Sequence, residues 1–438
     1  MKRIFLVALS LCATFVSLSF AQRRSLSIEE SVKIGLENSR VLHASQMKSE
    51  YTNAKAREVS ASLYPSLKVQ ASYQRLSSVP EFKIPFPGIP TIFPYIPDTY
   101  VARASFQQPI FTGWKLQGAA DNASYQAEAA KSDVAKDKAE LVFNIKSAYW
   151  NLYRSKEIKR LADENVALVS THVQDAENLM KQGLTTTNDL LKVKVQLTNT
   201  LILQSDAQNG VRLASMAFNS LVGLPLESEI EITSSLTSTS KEFGAPEILL
   251  KSAFVQRPDI VAMESRIKAS QSAITSAAGG WFPQIFLTGN YYYSKPNQRI
   301  IPAVNEFKDT WDFGLSVQFD LWNGLSTLHQ TSQAMSQHEQ NKDLLSTLRD
   351  GVTLEVTQNY LNYQQAKERI RLSELGVQQA NENYRMTSEK FKAGLTTSSE
   401  LLDAEVSLLQ SKFQLTQALV DHELAEARLT KSVGELQQ

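Results

Sequence analysis

The chain has 438 residues, with 45 Lys and Arg against 45 Asp and Glu, a formal net charge of +0 at neutral pH. That balance leaves no basic surplus to neutralise phosphates and argues against a nucleic-acid partner. Cys12 is the only cysteine, so neither a disulfide nor a thiolate metal site can be built from this chain.

Residues 1–21 read as a secretory signal peptide. Lys2 and Arg3 open it, Ile4 to Leu18 are apolar, and Ser19-Phe20-Ala21 offers small residues for cleavage before Gln22. Cys12 lies inside this leader. Lipidation there is the weaker reading, because Leu11 is large where a lipid acceptor is preceded by a small residue. No run of about 18 apolar residues follows, so no spanning helix is available and a membrane can be met only with strands.

One internal repeat organises nearly all the rest. Gly183-Leu184-Thr185-Thr186-Thr187-Asn188-Asp189-Leu190-Leu191 recurs as Gly394-Leu395-Thr396-Thr397-Ser398-Ser399-Glu400-Leu401-Leu402, an offset of 211. The same offset carries Gln107 to Gln318, Gly113 to Gly324, Tyr149 to Tyr360 and Val222-Gly223 to Val433-Gly434. Upstream, Tyr64-Pro65 matches Phe282-Pro283 at an offset of 218, so the difference of seven falls between these anchors, at about 75–104. The expected organisation is a first repeat over 22–230, a linker over 231–246 and a second repeat over 247–438.

Each half opens with a helix, expected over 27–61 and 246–278, that runs into its aromatic-Pro pair, where proline lacks the N–H a helix needs. Strands follow, at about 64–76, 100–112, 284–294 and 311–322. In the last, Trp311, Phe313, Leu315, Val317, Phe319 and Leu321 alternate with Asp312, Gly314, Ser316, Gln318 and Asp320. Their length and their terminal aromatics fit membrane strands with interfacial girdles; a half-buried soluble hairpin shows the same alternation. The loop at 77–99 holds six prolines from Pro80 to Pro97, a density that forbids strand pairing.

Long helices are expected over 114–182 and 325–393. Apolar or small residues recur there at steps of three and four, among them Ala162, Val166, Val169, Val173, Ala176 and Leu179, as in a coiled-coil seam. Shorter partners, at 185–221 and 396–432, carry Leu190, Val193, Leu197 and Leu402, Val406, Leu409. Gly183 and Gly394 fall where the chain must reverse and suit the left-handed C′ position. The fold class is therefore α+β: two β-hairpins and two long helical hairpins. Four strands are too few to close a membrane barrel, and open edges do not survive in lipid, so copies must associate. Three copies give twelve strands; two or four would also close.

The doubled order of elements resembles the TolC-type outer-membrane efflux proteins. The likeness is carried by the aromatic-Pro pairs, by Pro109-Ile110-Phe111-Thr112-Gly113 and Asp320-Leu321-Trp322-Asn323-Gly324 at the second-strand exits, and by the two Gly-Leu-Thr-Thr tips with following acids. It spans about 25–436. The resemblance implies a homotrimer with a twelve-stranded barrel in outer-membrane lipid and a periplasmic helical tunnel. It further implies a periplasmic adaptor and an inner-membrane pump as partners, and a role as exit duct for efflux or type I secretion.

For individual residues, the resemblance places Glu400 and Asp403 in acidic rings at a periplasmic aperture, with Asp189 nearby. Read from the residues alone, first-turn acids equally suit the helix dipole. The family's closed-state links fall on Asp189, Phe391 and Thr396. Phe391 lacks a hydroxyl and Thr396 a charge, so closure here would rest on packing or another polar link. Leu184 and Leu395 at the tips suit either a docking contact for the adaptor or a local Schellman-type contact. There is no Gly-Lys dipeptide, the five histidines are dispersed, and no nucleophile constellation is visible. The sequence thus predicts no enzyme, cofactor or metal centre. The rival reading is an exported periplasmic coiled-coil adaptor, which would not need two pairs of membrane-length strands.

Overall fold

The computed structural model describes residues 24–78, 95–234, 236 and 241–435. The signal peptide with Cys12, most of the proline-rich loop and part of the 231–246 linker lie outside the described residues. The chain forms two compact units: one of Met1–Ala44, Ala135–Pro258 and Arg349–Gln438, the other of Ser45–Val134 and Asp259–Leu348.

The first expected helix is broken in two. Helix α1 (Ile28–Asn38) starts on a capping box, with the Ser27 hydroxyl accepting from the Glu30 amide and the Glu30 carboxylate accepting from the Ser27 amide. Ser39 then turns extended (φ −69°, ψ 113°) and its hydroxyl accepts from Leu42 N–H, capping α2 (Arg40–Ala61). The counterpart also divides, into α5 (Pro246–Gln256) and α6 (Pro258–Ala278). Here the cause is plain: Pro258 bars Arg257 from helical geometry and itself suits the first turn of the next helix.

Four strands form one antiparallel sheet in the order β2-β3-β5-β6: β2 (Ser66–Arg75), β3 (Asp98–Phe111), β5 (Gln284–Lys295) and β6 (Lys308–Gln318). The last strand stops earlier than its alternation suggests. Gln318 pairs with Gln284, and Pro283 precedes that residue, so Phe319, Leu321 and Trp322 have no partner on β5. Register places Leu67, Val69 and Tyr73, then Tyr100 and Phe106, then Leu287, Tyr291 and Tyr293, then Trp311, Phe313, Leu315 and Val317 on one face. The other face carries Lys68, Gln70, Arg103, Ser105, Asn290 and Asp312, and Arg103 donates to Asn290, which donates to Asp312. Aromatic clusters mark both ends: Tyr73, Tyr100, Tyr293 and Phe307 at one, and Phe111, Trp114 and Phe282 at the other. Among the described residues, β2 and β6 each keep an unpaired edge.

Each second strand leads into a long helix, α3 (Lys115–Lys181) and α7 (Ser326–Lys392), both 67 residues or about 100 Å. They are followed by α4 (Thr187–Val222) and α8 (Ser398–Val433), both 36 residues. The first unit's core gathers Ile145, Tyr149 and Leu152 of α3 with Phe218 and Val222 of α4. Leu26 and Ile230 join it from a parallel pair of three-residue strands, β1 (Arg24–Leu26) and β4 (Ile230–Ile232), too short to show in sequence. The Tyr149 hydroxyl donates to Leu26 C=O and accepts from Ser234 N–H, so the buried ring loses no polar partner. The seam of α3 differs by one position from the sequence pattern: Ala162, Asn165, Val169, His172 and Ala176 are buried, whereas Val166 and Val173 are only half-buried.

The strand-to-helix turns share an unusual backbone. Gly113 and Trp114 both lie at φ +62°, and Gly324 and Leu325 at +65° and +64°. A Cβ at 113 would sit 2.6 Å from the Gly279 carbonyl oxygen and from Phe282 Cβ, whereas one at 324 would meet nothing within 4 Å. Gly324→Ala should therefore show only left-handed strain, about 1–2 kcal/mol, while Gly113→Ala adds a steric clash. Thermal unfolding in detergent should rank the variants native, Gly324→Ala, Gly113→Ala, and equal melting of the two variants would contradict this account.

Candidate functional site

The two hairpin tips are built by the same backbone device. At the first, Gly183 (φ +73°) donates to Met180 C=O at 3.0 Å and Leu184 N–H to Leu179 C=O at 2.9 Å, a Schellman closure of α3. At the second, Gly394 (φ +70°) donates to Phe391 C=O at 3.0 Å and Leu395 N–H to Lys390 C=O at 2.9 Å. Leu184 and Leu395 are 69% and 77% exposed, so the motif forms in the backbone without burying either side chain.

The reversed chain is then capped by threonine. Thr186 Oγ1 accepts from Asp189 N–H at 3.2 Å, and Thr397 Oγ1 from Glu400 N–H at 3.3 Å. Asp189 and Glu400 thus occupy the same first-turn position of α4 and α8, where the helix dipole favours an anion. Their partners differ. The Asp189 carboxylate accepts from the Thr186 hydroxyl at 2.7 Å and lies 3.7 Å from Lys192 Nζ, which together hold it below the usual carboxylate range. The Glu400 carboxylate accepts from Thr396, and Asp403, one turn on, is exposed.

Asp189, Phe391 and Thr396 are not joined to one another within the chain. Asp189 is engaged by Thr186 and Lys192, Thr396 by Glu400, and Phe391 sets its ring edge-on to His172 at 5.2 Å between centroids. Sequence reasoning passed over His172, and with it Ser398 and Glu405, which meet it in the interior. A signal existed: His172 and Glu405 are polar residues at seam positions of their helices. The buried face of α8 here is Leu401, Ala404, Glu405 and Leu408, not the expected Leu402, Val406 and Leu409, of which Val406 is exposed. Among the described residues no group of three His, Cys, Asp or Glu could hold a metal ion, and no helix is long and apolar enough to cross a membrane.

The chain thus pairs two long helical hairpins with a four-stranded sheet that exposes an apolar band. The sequence profile of the outer membrane efflux proteins matches residues 33–224 and 249–435, and the chain belongs to that family. It is 21% identical to the outer membrane efflux protein BepC of Brucella suis over 334 residues, 75% of this chain and 71% of that one. It is 22% identical to the alkaline protease secretion protein AprF of Pseudomonas aeruginosa over 349 residues, 78% and 71% of the two chains. Among solved structures it is similar to the outer membrane protein VceC of Vibrio cholerae, with a TM-score of 0.78 at 18% identity, covering 93% of this chain and 96% of that one. A crystal structure of CusC gives a TM-score of 0.79 at 18% identity, covering 93% and 92%. The protein is an outer-membrane channel of the efflux family, and the adaptor reading is set aside.

The cap geometry predicts a pH signature. Because the folded-state carboxyl of Asp189 is depressed, its contribution to stability is present above the ordinary carboxylate range and is lost as pH falls through the folded value. Thr186→Val removes the cap, at a cost of about 1 kcal/mol at neutral pH. Denaturant unfolding should show that deficit narrowing as pH falls through the depressed folded-state range of Asp189 and its carboxylate takes up a proton; a deficit unchanged into strong acid would mean the hydroxyl does not act on the carboxylate.

Proposed function

We propose that three copies assemble into an exit duct that crosses the outer membrane through a twelve-stranded barrel and continues as a periplasmic helical tunnel. The observation that carries this reading is a four-stranded sheet whose apolar face is exposed and whose two edges, β2 and β6, lack partners. In lipid every backbone N–H and C=O must be paired, so β6 of one copy joins β2 of the next until the sheet closes. Strands of 10 to 14 residues, at about 3.3 Å per residue, suffice to span an apolar band of about 25 Å between the two aromatic clusters. Exposed leucines on α4 (Leu191, Leu213) and α7 (Leu354, Leu361, Leu372) supply apolar surface for helix packing between copies. Closure alone allows two, three or four copies; the family resemblance selects three.

On this reading the two halves, 22–230 and 247–438, are repeats of one unit, and the helical tips form the periplasmic end. Gly183, Leu184, Gly394 and Leu395 present exposed apolar knobs to a periplasmic adaptor, and the duct completes a tripartite efflux or type I secretion assembly with an inner-membrane pump. Glu400 and Asp403 ring the aperture, with Asp189 beside them. Clustered carboxylates in a narrow, partly dehydrated pore repel one another and favour cation entry.

The purified protein should be a trimer in detergent; a monodisperse water-soluble monomer would overturn the assembly. In planar bilayers the double variant Glu400→Gln/Asp403→Asn should lose cation preference, falling toward a neutral pore, and lose block by multivalent cations. Both side chains are exposed, so assembly should persist. Unchanged selectivity in channels that still insert would move the aperture elsewhere.

A further inference from the structure

Close to the tips, three helices enclose a polar cluster that their apolar packing does not require. The His172 and Glu405 side chains are each 3% exposed in the single chain, before any second copy approaches. His172 Nε2 lies 3.2 Å from Ser398 Oγ, and Nδ1 lies 3.5 Å from Glu405 Oε1. Nδ1 and the other carboxylate oxygen, Oε2, have no hydrogen-bond partner. Phe391 of α7 closes one side of the imidazole, and α4 packs on this stretch of α3 with Leu190 and Val193, which bring no charge. Tyr384 of α7 stands near Glu405, and its hydroxyl is pushed up by burial and by that carboxylate's charge. The nearby cation Lys412 is 4.0 Å from Glu164. His172 is thus the group that faces the buried carboxylate.

A carboxylate in an apolar interior is tolerated only with a partner, and a lone polar residue in a helical seam is best known for fixing register, because any slide strands it. His172 belongs to α3, whereas Ser398 and Glu405 lie on the first two turns of α8. The arrangement occurs once per chain. The positions matching His172 and Glu405 in the repeat are Asn383 and Lys194, and Lys194 pairs with Glu177 at the surface.

We propose that His172 is a positioning residue: it pins the start of α8 to α3 and fixes where the second tip stands relative to the first. Glu400 and Asp403 lie between the two points of attachment, Ser398 and Glu405, so the pin sets how these acids are presented. This last step rests on the aperture reading above; the pin itself does not.

The test uses hydrogen–deuterium exchange on the detergent-solubilised trimer, reading the amides of 398–405. His172→Ala leaves the buried Glu405 carboxyl without the imidazole it faces, so exchange there should rise by about tenfold or more while the 140–155 core of α3 stays protected. His172→Gln, which keeps a hydrogen-bonding group, should exchange more slowly than His172→Ala. His172→Ala/Glu405→Leu should recover most of the lost protection, because the stranded polar group goes with its partner. Unchanged exchange in His172→Ala, or a double variant no better protected than the single, would reduce His172 to a space-filling residue and overturn the proposal. Should His172→Ala not assemble, His172→Gln against His172→Gln/Glu405→Leu makes the same comparison. Bilayer recordings separate the two readings. If the pin holds by exchange but His172→Ala leaves conductance and selectivity native, the step from pin to aperture fails and the pin stands; the aperture itself is tested by Glu400→Gln/Asp403→Asn.

Discussion

The backbone of a sheet edge has no choice about needing partners, and that requirement shapes the rest of this molecule. Among the described residues, β2 and β6 each carry a row of N–H and C=O groups with no partner strand. In water such edges invite aggregation; in hydrocarbon each unpaired group is costlier still. One face of the sheet carries an exposed apolar band between its aromatic ends, a surface better suited to hydrocarbon than to water. The polar face is knitted instead, with Arg103, Asn290, Asp312 and Arg299 in a continuous chain of donors and acceptors. On the proposed assembly such a sheet is completed by another copy, and the helices that continue from it would inherit the symmetry of that closure.

At the other end of those helices the same backbone motif is used twice with different side chains. Both tips pair a left-handed glycine with a threonine cap, yet Asp189 is neutralised locally by Lys192 while Glu400 meets only a hydroxyl. The interior beneath them differs too, because the His172 cluster has no counterpart in the other half. Duplicated scaffolding with unlike chemistry lets one hairpin be held while its sibling stays free to differ.

Much of this was legible in the residues. The alternation from Trp311 to Val317, the prolines after each opening helix and the glycines at the tips all stand where the sequence puts them, since each reports a local backbone rule. The errors lie where a local rule was silent. Phe319 and Leu321 continue the alternation of β6, but a strand ends where its neighbour does, and Pro283 decides that from 35 residues away. Pro258 announces the break before α6, and Ser39, an N-cap residue type, is the weaker signal for the one before α2. The seam of α3 was displaced by one position because an apolar pattern steps over Asn165 and His172. For the same reason the buried pair of His172 and Glu405 was not read from the sequence.

Helices α3 and α7 are equal in length, as are α4 and α8, while the connections between paired strands are not: 22 residues separate β2 from β3, and 12 separate β5 from β6. That contrast describes how such a chain is free to change over generations. Adding a heptad to one long helix alone would carry one tip about 10 Å past the other and break the helical seams. A viable insertion in the helices therefore has to occur twice, at matching places, and survive the interval between the two events. Insertions at the β-turns face no such requirement. Diversification is steered toward the strand loops, and the helical half is held to its length by its own duplication.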